Sequence, residues 1–208
     1  GSLEKMLSSF GKGDAQILVG TQAVAKGLDF PNVTLVGIIS ADTTLNMPDF
    51  RAGERTFQLI TQVAGRAGRG EIPGKVYVQT YTPEAFPIKA ACKQDSQGFH
   101  KEELSQRHKS YYPPYCSIMN VTCSGQREDE TEQEAKRILG LMNSLGLDTE
   151  IFGPVPAPRP KIKGSYRYNM LIKSKKIETI NHIARFLKGV KKHTEVNMAW
   201  DVEPQDLL

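Results

Sequence analysis

Val33-Thr34-Leu35-Val36-Gly37-Ile38-Ile39-Ser40 is β-branched and almost wholly apolar. An unbroken apolar run, rather than an alternating one, predicts a strand covered on both faces, the habit of a parallel sheet. The flanking residues extend the pattern. Gln16-Ile17-Leu18-Val19-Gly20 is a second short apolar run and predicts a buried strand, followed by a turn with a short helical segment over Thr21–Gly27. Asn46-Met47-Pro48-Asp49 predicts a loop. From about Arg51 to Ala64 a helix is expected, because Phe57, Ile60, Val63 and Ala64 fall on one helical face. Gly65 to Gly70 breaks it, and Lys75-Val76-Tyr77-Val78-Gln79-Thr80 alternates like another strand. The order β–α–β–α–β predicts an α/β layer domain.

Downstream the pattern changes. Pro83 to Lys109 is polar and reads as a helical bridge, with Pro113-Pro114 marking a second unit. Tyr115–Ser124 predicts a strand, and Arg127–Leu145 a helix with Ala135, Ile138, Leu139, Met142 and Leu145 on one stripe. The acidic first turn of that helix, Glu128-Asp129-Glu130, suits the positive end of its dipole. Glu150–Val155 predicts a short strand, and Pro156, Pro158 and Pro160 a loop. Tyr166–Lys173 reads as a strand and Lys175–Val190 as a helix burying Ile177, Ile180, Ile183, Ala184 and Leu187. Val196–Val202 is the last strand. The order β–α–β–β–α–β is the split-βαβ, ferredoxin-like pattern. The expected organisation is a lobe over 1–83, a helical linker over 84–112 and a C-terminal domain over 113–208.

Composition is that of an ordinary folded chain: 208 residues, 39% hydrophobic and 24% charged. No apolar run is long enough to span a membrane. Gly1-Ser2-Leu3-Glu4-Lys5 resembles the remnant of a cleaved tag on an excised piece. Cys92, Cys116 and Cys123 exclude a fully paired disulfide framework and match no metal-knuckle spacing, so they are expected unmetallated. His100, His108, His182 and His193 are scattered and read as structural or exposed. The net charge of +4 is mild, but its distribution is not. Gln126–Glu150 holds three basic and seven acidic residues, whereas Pro154–His193 holds eleven basic residues and one acidic, Glu178. Such a stretch suits phosphate backbones or an acidic peptide, and equally a solvated basic face.

Two segments carry chemistry. In Gly20-Thr21-Gln22 followed by Gly27-Leu28-Asp29, a strand runs into a turn that offers backbone N–H groups and a hydroxyl to an anion. Glycine and threonine also serve such turns for backbone reasons alone. In Gln62-Val63-Ala64-Gly65-Arg66-Ala67-Gly68-Arg69-Gly70, two arginines stand between glycines at the end of a helix. Glycines keep neighbouring side chains away, and a guanidinium binds phosphate oxygens bidentately. Positive charge at a transferring γ-phosphate is the arginine-finger role.

Gly20–Pro31 and Gln62–Gly70 together resemble motifs V and VI of the superfamily-two helicases. The pattern Asp42, Leu45, Pro48, Asp49, Phe50, Arg51, Ala52, Glu54, Arg55 resembles the primosomal replication-restart branch, as do Gly153–Pro158, Tyr166–Tyr168 and Trp200–Pro204. The resemblance implies a partial RecA-like second helicase lobe followed by a ferredoxin-like domain. It implies an ATP-dependent motor moving 3′ to 5′ on DNA that restarts stalled forks and assembles the primosome in the bacterial cytoplasm. It places Thr21 and Gln22 near the DNA strand, and Gly27, Asp29 and Gln62 in the ATP cleft. Arg69 would be the finger and Arg66 would lie close to the γ-phosphate. For Ala41–Arg55 it supplies only the positioning of Arg51 and Arg55, for which surface salt bridges are an equal reading.

No G-x-x-x-x-G-K-[ST] phosphate loop and no D-E-x-H magnesium box occurs. ATP and Mg²⁺ are therefore expected in the full-length protein and zinc only in the family's upstream module, with this chain alone inactive. The resemblance further implies forked and single-stranded DNA, the single-stranded-DNA-binding protein and other primosome proteins as partners, and no membrane. The candidate surface is Arg159, Lys161, Lys163, Arg167, Lys173, Lys175 and Lys176, interleaved with Tyr166 and Tyr168. The two tyrosines, two apart on a strand, would equally pack under a helix. A rival reading is a catalytically inactive nucleic-acid or protein-binding adaptor.

Overall fold

The computed structural model describes residues 2–21, 33–65, 67, 74–191 and 195–207. It is a mixed α/β protein of two compact units. The first comprises residues 1–47 and 52–101, the second residues 48–51 and 102–208. The stretch 84–112 thus contributes to both. None of the described helices is long and apolar enough to cross a membrane.

The first unit begins with α1 (Ser2–Lys12). Strands β1 (Leu35–Ile38) and β2 (Lys75–Val78) pair in parallel, as the apolar run predicts. The double cover does not materialise: Leu35 is 60% exposed and Ile39 79%. Among the described residues β1 has one neighbour, so only part of its apolar surface is buried. The strand expected over 16–20 is also absent, with Ile17 80% and Val19 83% exposed and, among the described residues, no strand alongside. Between the strands lie α2 (Asp42–Leu45), where a loop starts one residue later, and α3 (Ala52–Ala64).

Helix α3 buries Phe57 and Ile60 with Val63 packed alongside, close to the expected face. The polar bridge forms α4 (Phe86–Cys92) and α5 (Ser96–Lys109), separated at Gln94, whose φ is +54°. Phe99 of α5 stacks on Phe57 at 4.1 Å and on Phe86 at 5.2 Å, both rings nearly parallel to its own. Each such pair adds about 0.5–1.5 kcal/mol beyond its buried area. Buried Asp42 ties α2 to the segment after β2. Its carboxylate accepts from the Thr80 hydroxyl at 3.0 Å, the Thr82 hydroxyl at 3.1 Å and the Tyr81 N–H at 3.1 Å. Burial opposes the charge, but these donors prevail and hold the carboxyl below its ordinary value.

The second unit is one antiparallel sheet in the order β4-β5-β3-β6, formed by β3 (Ser117–Gly125), β4 (Glu150–Ile162), β5 (Ser165–Ser174) and β6 (Asn197–Val202). Helices α6 (Glu128–Asn143) and α7 (Ile177–Gly189) cover one face. Met119, Val121, Cys123, Tyr168, Met170 and Ile172 from the sheet meet Ala135, Ile138, Met142, Ile180, Ile183 and Leu187 from the helices. In the acidic first turn of α6, Asp129 and Glu130 are held by Arg127 at 3.0 and 3.2 Å.

The proline segment differs from expectation. Pro156, Pro158 and Pro160 lie within β4 rather than in a loop. Proline cannot donate to a ladder, but β4 is an edge strand and its register is broken between Pro156 and Lys161. Gly153, at φ +100°, begins this irregular stretch. A Cβ there would lie 2.5 Å from the Asn169 carbonyl oxygen, so only glycine fits.

Candidate nucleic-acid interface

Helix α3 ends at Ala64, just before the arginine segment in the sequence. Gln62 is exposed on the last turn of that helix. Thr21 is likewise exposed, outside any regular element. Gln22, Gly27, Asp29, Arg66 and Arg69 lie outside the described residues.

In the second unit the structure divides the candidate surface. Arg159, Lys161 and Lys163 are exposed on the β4–β5 hairpin, with Arg167 half-buried beside them. Lys175 and Lys176 are exposed at the start of α7, beyond the opposite end of β5. At the rise of an extended strand, Arg167 and Lys175 are roughly 26 Å apart. One basic run in sequence is therefore two basic clusters in space.

Lys173 is in neither cluster, which corrects the expectation that it contacts DNA. It is 4% exposed, donates to the Ser110 carbonyl at 3.0 Å, and holds its ammonium 3.5 Å from the Tyr112 ring centroid. Burial pushes its pKa below the usual lysine value. Tyr168 is also withdrawn, being part of the core under the helices. Tyr166 stays half-buried with its hydroxyl bonded to Lys161 Nζ at 3.1 Å and the ammonium 4.3 Å from its ring.

Two features escape the sequence reading. A shallow cleft of about 500 Å³ is lined by Glu178, Asn181, Ala184, Arg185 and Lys188 of α7 with Trp200 of β6. The helical spacing of Asn181, Arg185 and Lys188 was the available signal. On the helix-free face of the sheet, the Thr122 hydroxyl donates to Asn169 Oδ1 at 3.0 Å. Alternation along β3 and β5 was the available signal there.

Cys116 and Cys123 are buried and Cys92 is exposed, all three free. Burial pushes the Cys116 thiol up to about 11 and the Cys123 thiol up to about 12. The thiolate is the reactive form. Under native conditions at neutral pH, Cys92 alone among the three is expected to react rapidly with a maleimide, counted by intact mass. Rapid labelling persisting after Cys92→Ser contradicts this. Among the described residues no group of three His, Cys, Asp or Glu side chains could hold a metal ion.

Two family models match separate stretches of the chain. The helicase conserved C-terminal domain matches residues 2–71, and the primosomal protein N C-terminal domain matches residues 108–205. The replication restart protein PriA of Bacillus subtilis is 48% identical over 194 residues, covering 93% of this chain and 24% of that protein. Its namesake from Synechocystis is 45% identical over 174 residues, covering 83% of this chain and 21% of that protein. The one from Chlamydia muridarum is 38% identical over 206 residues, covering 98% and 27%. The chain thus spans about a quarter of the length of the curated relatives it matches.

Proposed function

We propose, from the premise that this chain belongs to the PriA family of replication restart proteins, that it is the C-terminal part of an ATP-dependent 3′–5′ DNA helicase. That helicase restarts stalled forks and assembles the primosome in the bacterial cytoplasm. The observation carrying the reading is the succession of a helicase C-terminal match over 2–71 and a primosomal C-terminal match over 108–205 in one chain.

In this reading the first unit supplies the arginine side of the ATP site. Arg69 and Arg66 meet the phosphates, Gln62, Gly27 and Asp29 line the cleft, and Thr21 and Gln22 face DNA. The amide of Gln62, an exposed residue, and the two guanidinium groups are donors, the chemistry a triphosphate accepts. ATP and Mg²⁺ belong to the full-length protein, and zinc to a module outside this chain. The second unit, whose sheet order runs last, first, third, second, is read as ferredoxin-like. It binds forked and single-stranded DNA, the single-stranded-DNA-binding protein and other primosome proteins. Domain limits of 1–83, 84–112 and 113–208 accompany the reading.

The test is unwinding by the full-length protein on forks carrying a 3′ or a 5′ single-stranded tail. ATP-dependent opening that requires the 3′ polarity is expected. DNA binding without ATP turnover would instead mark an inactive adaptor.

A further inference from the structure

The DNA-binding reading above can be narrowed to one shape of nucleic acid. Strands β4 and β5 join through Lys163-Gly164, both with positive φ, at +49° and +85°. Ile162 and Ser165 pair directly on either side. Two central residues of that conformation make the tight turn that matches strand twist, so the hairpin ends in a short tip.

Arg159, Lys161 and Lys163 are exposed on this hairpin and Arg167 is half-buried. No acidic residue occurs from Ile151 through Ile177. Lys161 pairs with Tyr166, which shares a sheet face with Tyr168 and Met170, the face covered by the helices. Arg167 is one residue along and so points to the opposite face, where it pairs with Ser124. Positive charge therefore lies on both faces of one two-stranded ribbon and at its tip.

A single strand is held in a basic groove by aromatics on which bases stack. This hairpin offers no free aromatic ring, since Tyr168 is buried and the Tyr166 ring is occupied by Lys161. A duplex differs, because its major groove, about 12 Å wide, admits a two-stranded ribbon. It then sets one phosphate backbone against each face. We propose that the Arg159–Arg167 hairpin is a groove-inserting arm for duplex DNA, gripping phosphates on both sides of the groove. It would hold the double-stranded arm of a branched substrate and leave Lys175 and Lys176 to other contacts.

The test uses the 208-residue chain and fluorescence anisotropy with a blunt duplex and an oligo-dT strand, at low and physiological salt. In Arg159→Ala/Lys161→Ala/Lys163→Ala, duplex affinity is expected to fall about ten-fold or more, with a log–log salt slope shallower by about 3. Oligo-dT affinity should change less than about two-fold. The substituted side chains are exposed, and an unchanged thermal transition confirms folding. Equal losses on duplex and oligo-dT would overturn the duplex assignment but keep the DNA-binding reading. A parent chain that binds neither would overturn that reading itself. If the triple variant loses only binding to poly-glutamate, the occupant is an acidic peptide and the proposal fails.

Discussion

Arg69→Ala in the full-length protein is expected to lower DNA-stimulated ATP turnover about a thousand-fold or more, the scale on which an arginine finger acts. The expectation rests on residue chemistry and on where α3 ends. The helix stops at Ala64, Gly65 follows with its N–H bonded to the Thr61 carbonyl at 3.1 Å, and the arginines come directly after. Small residues flank each arginine in the sequence, Gly65 and Ala67 around Arg66 and Gly68 and Gly70 around Arg69. Because the charge matters most where phosphate charge develops, Arg69→Ala should depress kcat far more than it weakens nucleotide binding. Arg69→Lys restores charge without the planar fork, and should recover only part of the loss. Steady-state ATPase assays with saturating DNA read this directly. Turnover within two-fold of the parent in Arg69→Ala would remove that residue from the site.

How much of this was legible depends on whether a property is local. The α3 face was legible because Phe57 and Ile60 recur at helical spacing, and the structure buries both. The parallel character of Val33–Ser40 was legible from its apolar run. Its two-sided burial was not, because Leu35 and Ile39 reach the surface and the sequence of a strand does not count its neighbours. Ile17-Leu18-Val19 fails for the same reason more completely. Pro156, Pro158 and Pro160 misled in the other direction. Their missing N–H groups forbid a central strand but not an edge one, and edge position is a property of the whole sheet.

For the site, charge density was legible but charge geometry was not. Arg167 and Lys175 are eight residues apart in a run that looks continuous, yet the extended β5 carries them to opposite ends of the sheet. Lys173 looked equivalent to its neighbours. Only the arrival of Tyr112 and the Ser110 carbonyl against it turns a surface cation into a buried one. The polar loop at 46–49 offered no sign that its aspartate belongs with the chain's last residues, 158 positions away.

That aspartate carries the second large expectation: Asp49→Ala should destabilise the second unit by about 2–4 kcal/mol. The Asp49 side chain has no solvent exposure. Its Oδ1 accepts the Arg51 N–H at 2.9 Å and its Oδ2 the Leu207 N–H at 3.2 Å, with the Arg51 guanidinium 3.8 Å away. That guanidinium also donates to the Gln205 carbonyl at 3.5 Å and stands 4.1 Å from the Phe50 ring centroid. Phe50 stacks on Tyr112 at 4.7 Å, and the Tyr112 ring carries the Lys173 ammonium. Alanine would strand two backbone donors and leave Arg51 without this carboxylate. Asp49→Asn keeps the volume and one acceptor oxygen, so a loss of about 1–2 kcal/mol is expected. Trp200, the chain's single tryptophan, lies in β6 and reports on this unit alone. Its fluorescence across a urea titration gives the midpoint, which should fall in the order parent, Asp49→Asn, Asp49→Ala. Coincident midpoints for parent and Asp49→Ala would show that residues 48–51 are not anchored through this carboxylate.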